Sequence, residues 1–532
     1  MHKLLPSLIL TLLVIFSACQ SPTGVFTLGS ATTPGSVAAN PIVRLVSLDA
    51  ATFGSLLGSS ATGSDLLLLT GAPTCGVDVY SFQYWTLGGA GETTNSSGAI
   101  MLPTGGSDCT GPRPILLYAH GTSPSHQYDI AAGFADPANA ANGESTLLAA
   151  MYAAQGYIVV APNYAGYNDS SLPYHPYLNA HQQAGEMIDA LTAARALIPS
   201  AIGAPVSDNG KLMLSGYSQG ALVAMATMRQ MQFNNQPVTA IATGSGPYAL
   251  EWFGDAIFAG NVDLGSTLFA PFLAISYQHA YGNIYNTPTD LFSTQYATGI
   301  DTLLPTYLPT LALYGLGLLP PFALFNSTTP TVSDITEAGV SSGLAPTLAA
   351  ILAVPDSNTN PVGALGFGPN YLINNATRIA YVFDAAQNPD GAAISNPAAG
   401  LAATIPTNPL RRAFYVNDMR NVVSAPGKTS PAAWAPASPM FLCGGHRDPT
   451  VFFDNTTIME TFWGNTSFHL PSGLLTVYDV DPGQNPPADP LQTAFSATIS
   501  ALSNSDLLQQ YHGHLVAPFC ATASRTFFQN FL

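Results

Sequence analysis

The chain has 532 residues, of which 47% are hydrophobic and 8% are charged, and its formal net charge is −17. This length allows a large hydrophobic core and more than one structural unit. Because only 13 lysines and arginines are spread along the chain, nucleic-acid binding is not expected. The acidic balance fits a soluble exported protein and points to no particular partner.

Residues 1–19 have the pattern of an export signal. Lys3 is followed by an apolar stretch over residues 4–16 that is too short to span a membrane as a helix. The sequence then reaches Cys19 through small residues, which resembles the bacterial lipobox, whose cysteine carries the lipid. Phe16 departs from that motif, so an ordinary cleaved signal with an incidental cysteine is the alternative.

Residues 20–45 are predicted to be a flexible tether, since their first part is rich in Ser, Thr, Gly and Pro. Gln20 follows Cys19, and the resemblance to lipoproteins of Gram-negative bacteria implies the outer membrane. We therefore expect an exported protein of the cell envelope, attached to the membrane through a lipid on Cys19, with secretion as the alternative.

Four further cysteines predict disulfides, because an even number in an exported chain favours pairing. Three pairings of Cys75, Cys109, Cys443 and Cys520 are possible. We prefer Cys75–Cys109, which would close an N-terminal β-excursion, together with Cys443–Cys520, which would tie a late strand to the C-terminal helix. Free buried thiols are the alternative. The chain has no Cys-x-x-Cys pair, so a zinc or redox site is not expected.

Short apolar runs alternate with helical patterns along much of the chain. Residues 76–102 alternate in polarity, as antiparallel strands do. Buried strands are predicted at residues 114–119, 157–162, 212–214, 238–243, 439–442 and 474–478, and helices at residues 184–198 and 221–231. This order predicts an α/β fold with a mostly parallel central sheet flanked by helices.

The alternation stops in the middle of the chain. We expect residues 46–250 and 436–532 to form one core and residues 251–435 to be an inserted, mainly helical cap, because so long a stretch cannot be a loop. An independent domain is the alternative. Apolar surfaces facing a site would suit acyl substrates, although apolar helical patterns more often belong to a core.

Ser218 is the candidate nucleophile. It stands in a Gly-x-Ser-x-Gly pattern at residues 216–220, between a predicted strand and a predicted helix. In that context a serine is held exposed on a sharp turn, and glycines avoid collisions with the flanking elements. Residues 339–343 match the same pattern without a preceding strand, so the pattern alone is weak evidence.

A nucleophilic serine needs a base, and the base needs an acid that orients it. Asp448 follows an apolar strand and a glycine turn, in the position where the order Ser, Asp, His places the acid. Because Asp before Pro often caps a turn, a structural role is the alternative. Asp479 and Asp481 are the fallback acids.

Two histidines precede the predicted terminal helix, His512 and His514. An extended loop would direct them to opposite sides. We favour His512 as the base because Gly513 leaves its loop free, and we retain His514 as the alternative, with His446 third. The remaining candidates, read as structural or surface residues without metal-ligand spacing, are His126, His175, His181 and His279. Neither a metal nor an organic cofactor is expected.

An oxyanion requires two N–H groups aimed at one point. Gln219, directly after the candidate nucleophile, is expected to supply one of them. The second is expected from the loop after an early strand, where Gly121 allows close approach of the backbone and Thr122 adds a hydroxyl group.

With these motifs the sequence resembles the bacterial secreted α/β-hydrolases of the lipase/esterase type, near the secretory lipases with a large cap between strands six and seven. The resemblance extends over about residues 70–532. It is carried by Cys75-Gly76-Val77, Tyr118-Ala119-His120-Gly121-Thr122, residues 156–164, His175-Pro176-Tyr177-Leu178, residues 216–220, Asp448-Pro449-Thr450-Val451 and Tyr511-His512-Gly513. Asn163 departs from it, since related hydrolases often carry Asp there, but this residue is not a triad member.

The resemblance implies a serine hydrolase that cleaves carboxylic esters of small molecules or lipids through an acyl-enzyme. It also favours His512 over His514, because Tyr511-His512-Gly513 is the more stable part of the last motif. Two rivals remain at this point: a secreted serine peptidase of the same fold, and a non-catalytic binding lipoprotein of the cell envelope.

Overall fold

The computed structural model describes residues 32–38, 42–199, 205–393, 396–401, 405–421, 434–465, 468, 470–483 and 489–532. The predicted signal, Cys19 and the first part of the predicted tether lie outside these residues.

The strands are numbered β1 to β13 in chain order. They are Val43–Leu48, Gly76–Leu87, Thr93–Thr104, Gly111–Ala119, Ile158–Pro162, Val206–Tyr217, Ala240–Gly244, Phe325–Asn326, Phe367–Gly368, Gly391–Ala393, Asn396–Leu401, Met440–Gly444 and Leu475–Asp479. Nine of them form one sheet in the order β1-β2-β3-β5-β4-β6-β7-β12-β13.

The central sheet is mixed. Strands β1, β2 and β3 are antiparallel to their neighbours, whereas the six strands from β5 to β13 in the sheet order run parallel. Strands β5, β7 and β12 are buried at every position, which explains why the sequence shows them as short continuous apolar runs. The predicted mostly parallel sheet is present.

The helices are numbered α1 to α19 in chain order. They are Ala50–Gly58, Ala61–Thr70, Ile130–Gly133, Asn142–Met151, Ala180–Leu197, Gln219–Phe233, Leu250–Ala259, Ser266–Tyr281, Thr294–Ala297, Thr310–Gly315, Val332–Glu337, Ala345–Ile351, Pro361–Leu365, Asn375–Gln387, Pro409–Asn417, Asp454–Gly464, Pro490–Ser500, Asn504–Gln510 and Ala517–Gln529. Helix α6 is buried over most of its length, and it packs against α5 and the sheet. Its Ala, Leu and Met side chains fill that narrow space.

The register of the parallel strands positions the site. Ala119 pairs with Gly216, Tyr217 with Gly244, and Gly244 with Cys443. The carboxyl ends of β4, β6, β7 and β12 therefore lie in one row, and loops that leave this edge converge, as ligand-binding loops do in open α/β sheets.

The N-terminal part differs from the predicted tether. Gly35 N–H donates to the carbonyl of Trp85 at 2.8 Å, and Val37 forms a bridge with Tyr84. Strand β1 begins at Val43 and pairs with β2, so residues 43–45 belong to the sheet. Backbone pairing with the long strand β2 holds the segment in place. The composition of the segment does not indicate this pairing.

The residues between β7 and β12 form a large insertion that contains α7 to α15. It also holds two small sheets, β8 with β9 and β10 with β11. In chain order, β7 and β12 are the seventh and eighth strands of the main sheet, because β1 adds an edge strand. Counted from β2, they are the sixth and seventh.

Two disulfides are present, in the pairing preferred from the sequence. Cys75–Cys109 joins the segments that flank the β2–β3 hairpin. Cys443–Cys520 joins β12 to α19. Within the part of the chain that the structure describes, no helix has the length and apolar character needed to cross a membrane.

Candidate active site

Ser218 occupies the sharp turn between β6 and α6. Its φ is 57° and its ψ is −124°, a backbone conformation that costs a non-glycine residue about 1–3 kcal/mol. The N–H of Ser218 donates to the carbonyl of Gly244 at 2.9 Å, which helps to hold the turn. A Cβ atom on Gly216 would overlap the carbonyl oxygen of Gly220, and one on Gly220 would overlap that of Ala119. Both pattern glycines are therefore required sterically.

The structure brings Ser218, His512 and Asp448 together in one line. Nε2 of His512 lies 2.8 Å from Oγ of Ser218, and its Nδ1 lies 2.7 Å from Oδ2 of Asp448. The Asp448 side chain is fully buried, while that of His512 is 14% exposed. In the neutral ring, Nδ1–H donates to the carboxylate and Nε2 is left to accept the serine proton.

Asp448 also holds its own turn. Its Oδ1 accepts the backbone N–H groups of Thr450 and Val451, at 2.9 Å and 3.1 Å. Asp448 therefore also has the structural role considered for an Asp before Pro. Oδ1 holds the turn, and Oδ2 faces His512. The two roles coexist because a carboxylate offers about four lone-pair sites.

His512 lies in a wide π turn, Tyr511–Val516, that continues directly into α19. The predicted extended loop is therefore absent, and the expected alternation of His512 and His514 does not apply. Tyr217 O–H donates to the backbone carbonyl of His512 at 2.5 Å, which fixes the turn to the end of β6. His514 is exposed, and no hydrogen bond joins it to Ser218 or Asp448 among the described residues.

The two fallback acids are engaged elsewhere. Asp481 accepts hydrogen bonds from the Arg447 guanidinium at 2.8 Å and from the Tyr511 hydroxyl at 2.5 Å. Asp479 accepts the backbone N–H of His446 at 3.1 Å. Asp481 thereby ties the loop after β12 to the π turn through Tyr511, whereas the Asp479 contact lies within the loop after β12.

The loop after β4 approaches Ser218, and two of its polar groups already have partners. Gly121 N–H donates to Oε1 of Glu144 at 3.1 Å, so it is not directed at the serine. The Thr122 hydroxyl pairs with the hydroxyl of Tyr177 at 2.9 Å. A Cβ on Gly121 would still lie 3.8 Å from that of Ser218, which shows how closely the loop passes.

Two backbone N–H groups remain beside the serine. Gln219 is the first residue of α6, and the first N–H groups of a helix have no partner within it. For the Thr122 N–H, the described residues provide no acceptor.

Glu144 organises this loop, and sequence reasoning missed it. Its carboxylate accepts hydrogen bonds from the hydroxyl groups of Tyr118 at 2.7 Å and Tyr128 at 2.6 Å, and from the N–H of Gly121. The sequence carries no signal for it, since an isolated Glu on a helix is usually a surface residue.

His175 orients the side chain of Gln219. Burial lowers the pKa of His175 to about 3, so its ring is neutral. Nδ1–H donates to the carbonyl of Ala165 at 3.0 Å, which leaves Nε2 to accept the amide N–H of Gln219 at 2.7 Å. The structural reading of His175 is consistent with this arrangement. Its place in the His175-Pro176-Tyr177-Leu178 motif was the one signal of a link to the site.

A cavity of about 80 Å³ lies against Ser218. It has room for several water molecules, since one needs roughly 10–15 Å³. Its wall is mostly apolar and comes largely from α7, α8 and other parts of the insertion. The large apolar side chains that residues between β7 and β12 contribute to this wall include Leu250, Phe253, Ile257, Phe258, Phe269, Leu273, Leu291, Leu324, Ile373, Leu410 and Phe414. The cavity can hold a small apolar group beside Ser218.

The described residues contain no group of three His, Cys, Asp or Glu side chains that could hold a metal ion.

No protein-family model and no curated protein matches the sequence. Solved structures do match. The ligand-bound form of the rice cell wall degrading esterase LipA from Xanthomonas oryzae has a TM-score of 0.64 and 24% identity, with coverage of 93% of this chain and 98% of that one. A putative hydrolase from Legionella pneumophila has a TM-score of 0.59 and 18% identity, with coverage of 92% and 97%. At these identities the likeness shows a shared fold.

Proposed function

We propose that this chain is a serine hydrolase that cleaves carboxylic esters, with Ser218 as nucleophile, His512 as base and Asp448 as the orienting acid. The observation that carries the proposal is the unbroken hydrogen-bonded line from Ser218 Oγ through both nitrogens of His512 to Asp448. A serine in a strained strand-to-helix turn with such partners has little structural reason to exist. Structural neighbours named esterase and hydrolase support the reaction class.

In the first half-reaction, Ser218 Oγ attacks the ester carbonyl carbon while its proton passes to Nε2 of His512. A tetrahedral intermediate forms, with a C–O bond to Ser218 and a negative charge on the former carbonyl oxygen. The bond to the alcohol oxygen then breaks, and His512 returns the proton to the leaving alcohol. Asp448 stays ionised and stabilises the imidazolium that exists between these two transfers.

The oxyanion is stabilised by two backbone N–H groups in this proposal. One is that of Gln219, at the N-terminus of α6, where the helix dipole also favours negative charge. The other is the Thr122 N–H, which replaces that of Gly121 because Glu144 already accepts the latter. Removal of one such donor typically lowers kcat by about 10²–10³.

The second half-reaction repeats the first with water. His512 takes a proton from a water molecule, whose oxygen attacks the acyl carbon, and then protonates Ser218 Oγ as the acyl–serine bond breaks. The products are the carboxylic acid and the free enzyme. The acyl group occupies the apolar cavity during this step.

We further propose that residues 251–435 act as a cap on a core made of residues 46–250 and 436–532. Side chains of α7 and α8 line the cavity beside Ser218, which supports this division.

Export and lipid attachment at Cys19 belong to the same proposal. They rest on the N-terminal pattern and on two disulfides, which form in oxidising compartments. Mass analysis of the mature N-terminus tests the attachment, and an unmodified start beyond Cys19 would contradict it.

Labelling with a fluorophosphonate tests the nucleophile. We expect the parent protein and Ser341→Ala, the centre of the rival Gly-x-Ser-x-Gly match, to be labelled equally. Ser218→Ala should take up no label and hydrolyse no chromogenic ester. Labelling of Ser218→Ala at the parental level would refute the proposal. Faster turnover of peptide amides than of acyl esters would instead make the protein a peptidase.

A further inference from the structure

The cavity beside Ser218 contains one buried carboxyl group that the proposed reaction does not use. Asp263 lies between α7 and α8 and is 5% exposed. Its Oδ1 accepts a hydrogen bond from the hydroxyl group of Ser266. Its Oδ2 is buried without a hydrogen-bond partner among the described residues. A buried polar atom left unpaired costs about 1–3 kcal/mol, so this oxygen needs a physical reason.

Asp263 is held close to the catalytic residues. The N–H of the next residue, Leu264, donates to the carbonyl of Pro449 at 2.9 Å. Pro449 directly follows Asp448, so the Asp263 loop is fixed to the turn that carries the proposed catalytic acid. The carboxyl group is thus part of a rigid wall and not of a free surface loop.

The remaining wall makes this carboxyl group stand out. Among the described lining residues, Asp263 is the only Asp, Glu, Lys, Arg or His side chain. Binding pockets combine an apolar lining with a few placed polar groups that set orientation and specificity. An unpaired carboxyl oxygen in a mostly apolar wall fits that description.

We propose that Asp263 determines specificity by binding a hydroxyl group on the acyl chain, so that esters of hydroxy acids are preferred over esters of unsubstituted acids. This inference rests on the proposed function, because the acyl chain is the part of the substrate that remains bonded to Ser218. The cavity lies against Ser218, whereas the alcohol leaves after acylation. The hydroxyl group donates a hydrogen bond to Oδ2, while the chain packs against the apolar wall.

A hydroxyl group suits this position better than an ammonium group. Burial, with a smaller contribution from the nearby Asp448 carboxylate, raises the pKa of Asp263 to about 7. Neutral and ionised forms are then both present near neutral pH. A hydroxyl group can pair with either form, since it both donates and accepts. An ammonium group needs the ionised form and loses its hydration in an apolar cavity.

The test compares chromogenic esters of straight-chain acids with esters of hydroxy acids of equal length and varied hydroxyl position. In the parent protein we expect kcat/KM to be at least about tenfold higher for one of the hydroxyacyl esters, because sites built to bind a hydroxyl group reject the analogue that lacks it. Asp263→Leu should abolish this preference, and Asp263→Asn, which keeps a polar partner, should retain most of it. Phe269→Leu, in the same wall, should change both esters by the same factor.

The ratio of the two kcat/KM values within one variant does not depend on the folded fraction, so a destabilised Asp263→Leu protein remains informative. An equal preference in parent and Asp263→Leu overturns the proposal, as does a parent protein that prefers the unsubstituted esters. If the parent cleaves no ester of the series and Ser218 takes up no fluorophosphonate, the proposed function fails and this inference fails with it.

Discussion

Asp448 and His512 are joined through a carboxylate that is itself fixed by its own turn. Oδ2 of Asp448 lies 2.7 Å from Nδ1 of His512, while Oδ1 accepts the N–H groups of Thr450 and Val451. The turn after β12 therefore sets the position of the carboxylate, and the carboxylate sets the tautomer of the ring. This tautomer leaves Nε2 available to Ser218.

Asp448→Asn should preserve the fold and lower kcat by about 10⁴. The amide oxygen of Asn would continue to accept from Thr450 and Val451, which directs its NH₂ group to Nδ1 of His512. The ring would then carry its proton on Nε2 and could not accept the proton of Ser218. Ester hydrolysis and the thermal unfolding midpoint should be measured together. Asp479→Asn is the matched control, and an equal loss of activity in it would contradict the assignment of Asp448.

His512→Ala and His514→Ala should separate the two histidines. Because His512 contacts Ser218 and His514 is exposed, we expect the first change to lower kcat by at least about 10³ and the second to leave it within about twofold. Fluorophosphonate labelling rates should follow the same order. If His514→Ala were the inactive protein, the π turn around these residues would have to rearrange in solution.

Gly220→Ala should destabilise the protein by several kcal/mol, on the order of 3 or more, because its Cβ would overlap the carbonyl oxygen of Ala119. Gly343→Ala, in the rival pattern match, meets no atom within 4 Å and should be neutral. Urea unfolding of both variants measures the difference. Similar stabilities would show that the elbow can open to admit a methyl group.

Glu186 should make stability depend on pH. Burial raises the pKa of Glu186 to about 7, although Tyr84 and Gln182 donate hydrogen bonds to its carboxylate. The folded state therefore binds this proton more tightly than the unfolded chain, whose carboxyl titrates near 4.5. The contribution is complete below that value and is lost as pH rises through about 7, by about 3 kcal/mol in total.

Glu186→Gln should show a correspondingly smaller fall in the free energy of unfolding between about pH 5 and pH 8. Urea unfolding at both values, with the exposed Glu337→Gln as control, provides the comparison. A pH dependence equal to that of the parent would mean that Glu186 stays ionised in the folded protein.

Local sequence patterns were sufficient for the architecture. Continuous apolar runs such as those of β5 and β12 indicate strands buried on both faces, and such strands occur in parallel sheets with helices on each side. The elbow is equally local, because a strained turn between a strand and a helix needs small residues at fixed spacing. Composition did not predict the strand at residues 43–45, since backbone pairing with β2 does not depend on side-chain type.

The choice among partners of Ser218 was not local. Chain order left three histidines and three acids open, and only the π turn and the contacts of Asp479 and Asp481 separate them. The same holds for the loop after β4. Its sequence places Gly121 near the serine. Glu144, which belongs to none of the motifs, accepts the hydrogen bond from the N–H of Gly121.

The sequence by itself thus determined the sheet, the elbow and the residue types available for catalysis, because these follow from periodicity and from the sterics of adjacent residues. Only the tertiary structure decided which nitrogen faces Ser218, which N–H groups remain free beside it, and that Asp263 enters the cavity wall. Hydrogen bonds act over about 3 Å, and the groups that make them at this site are separated by up to 295 residues of chain. Their meeting depends on the packed fold as a whole.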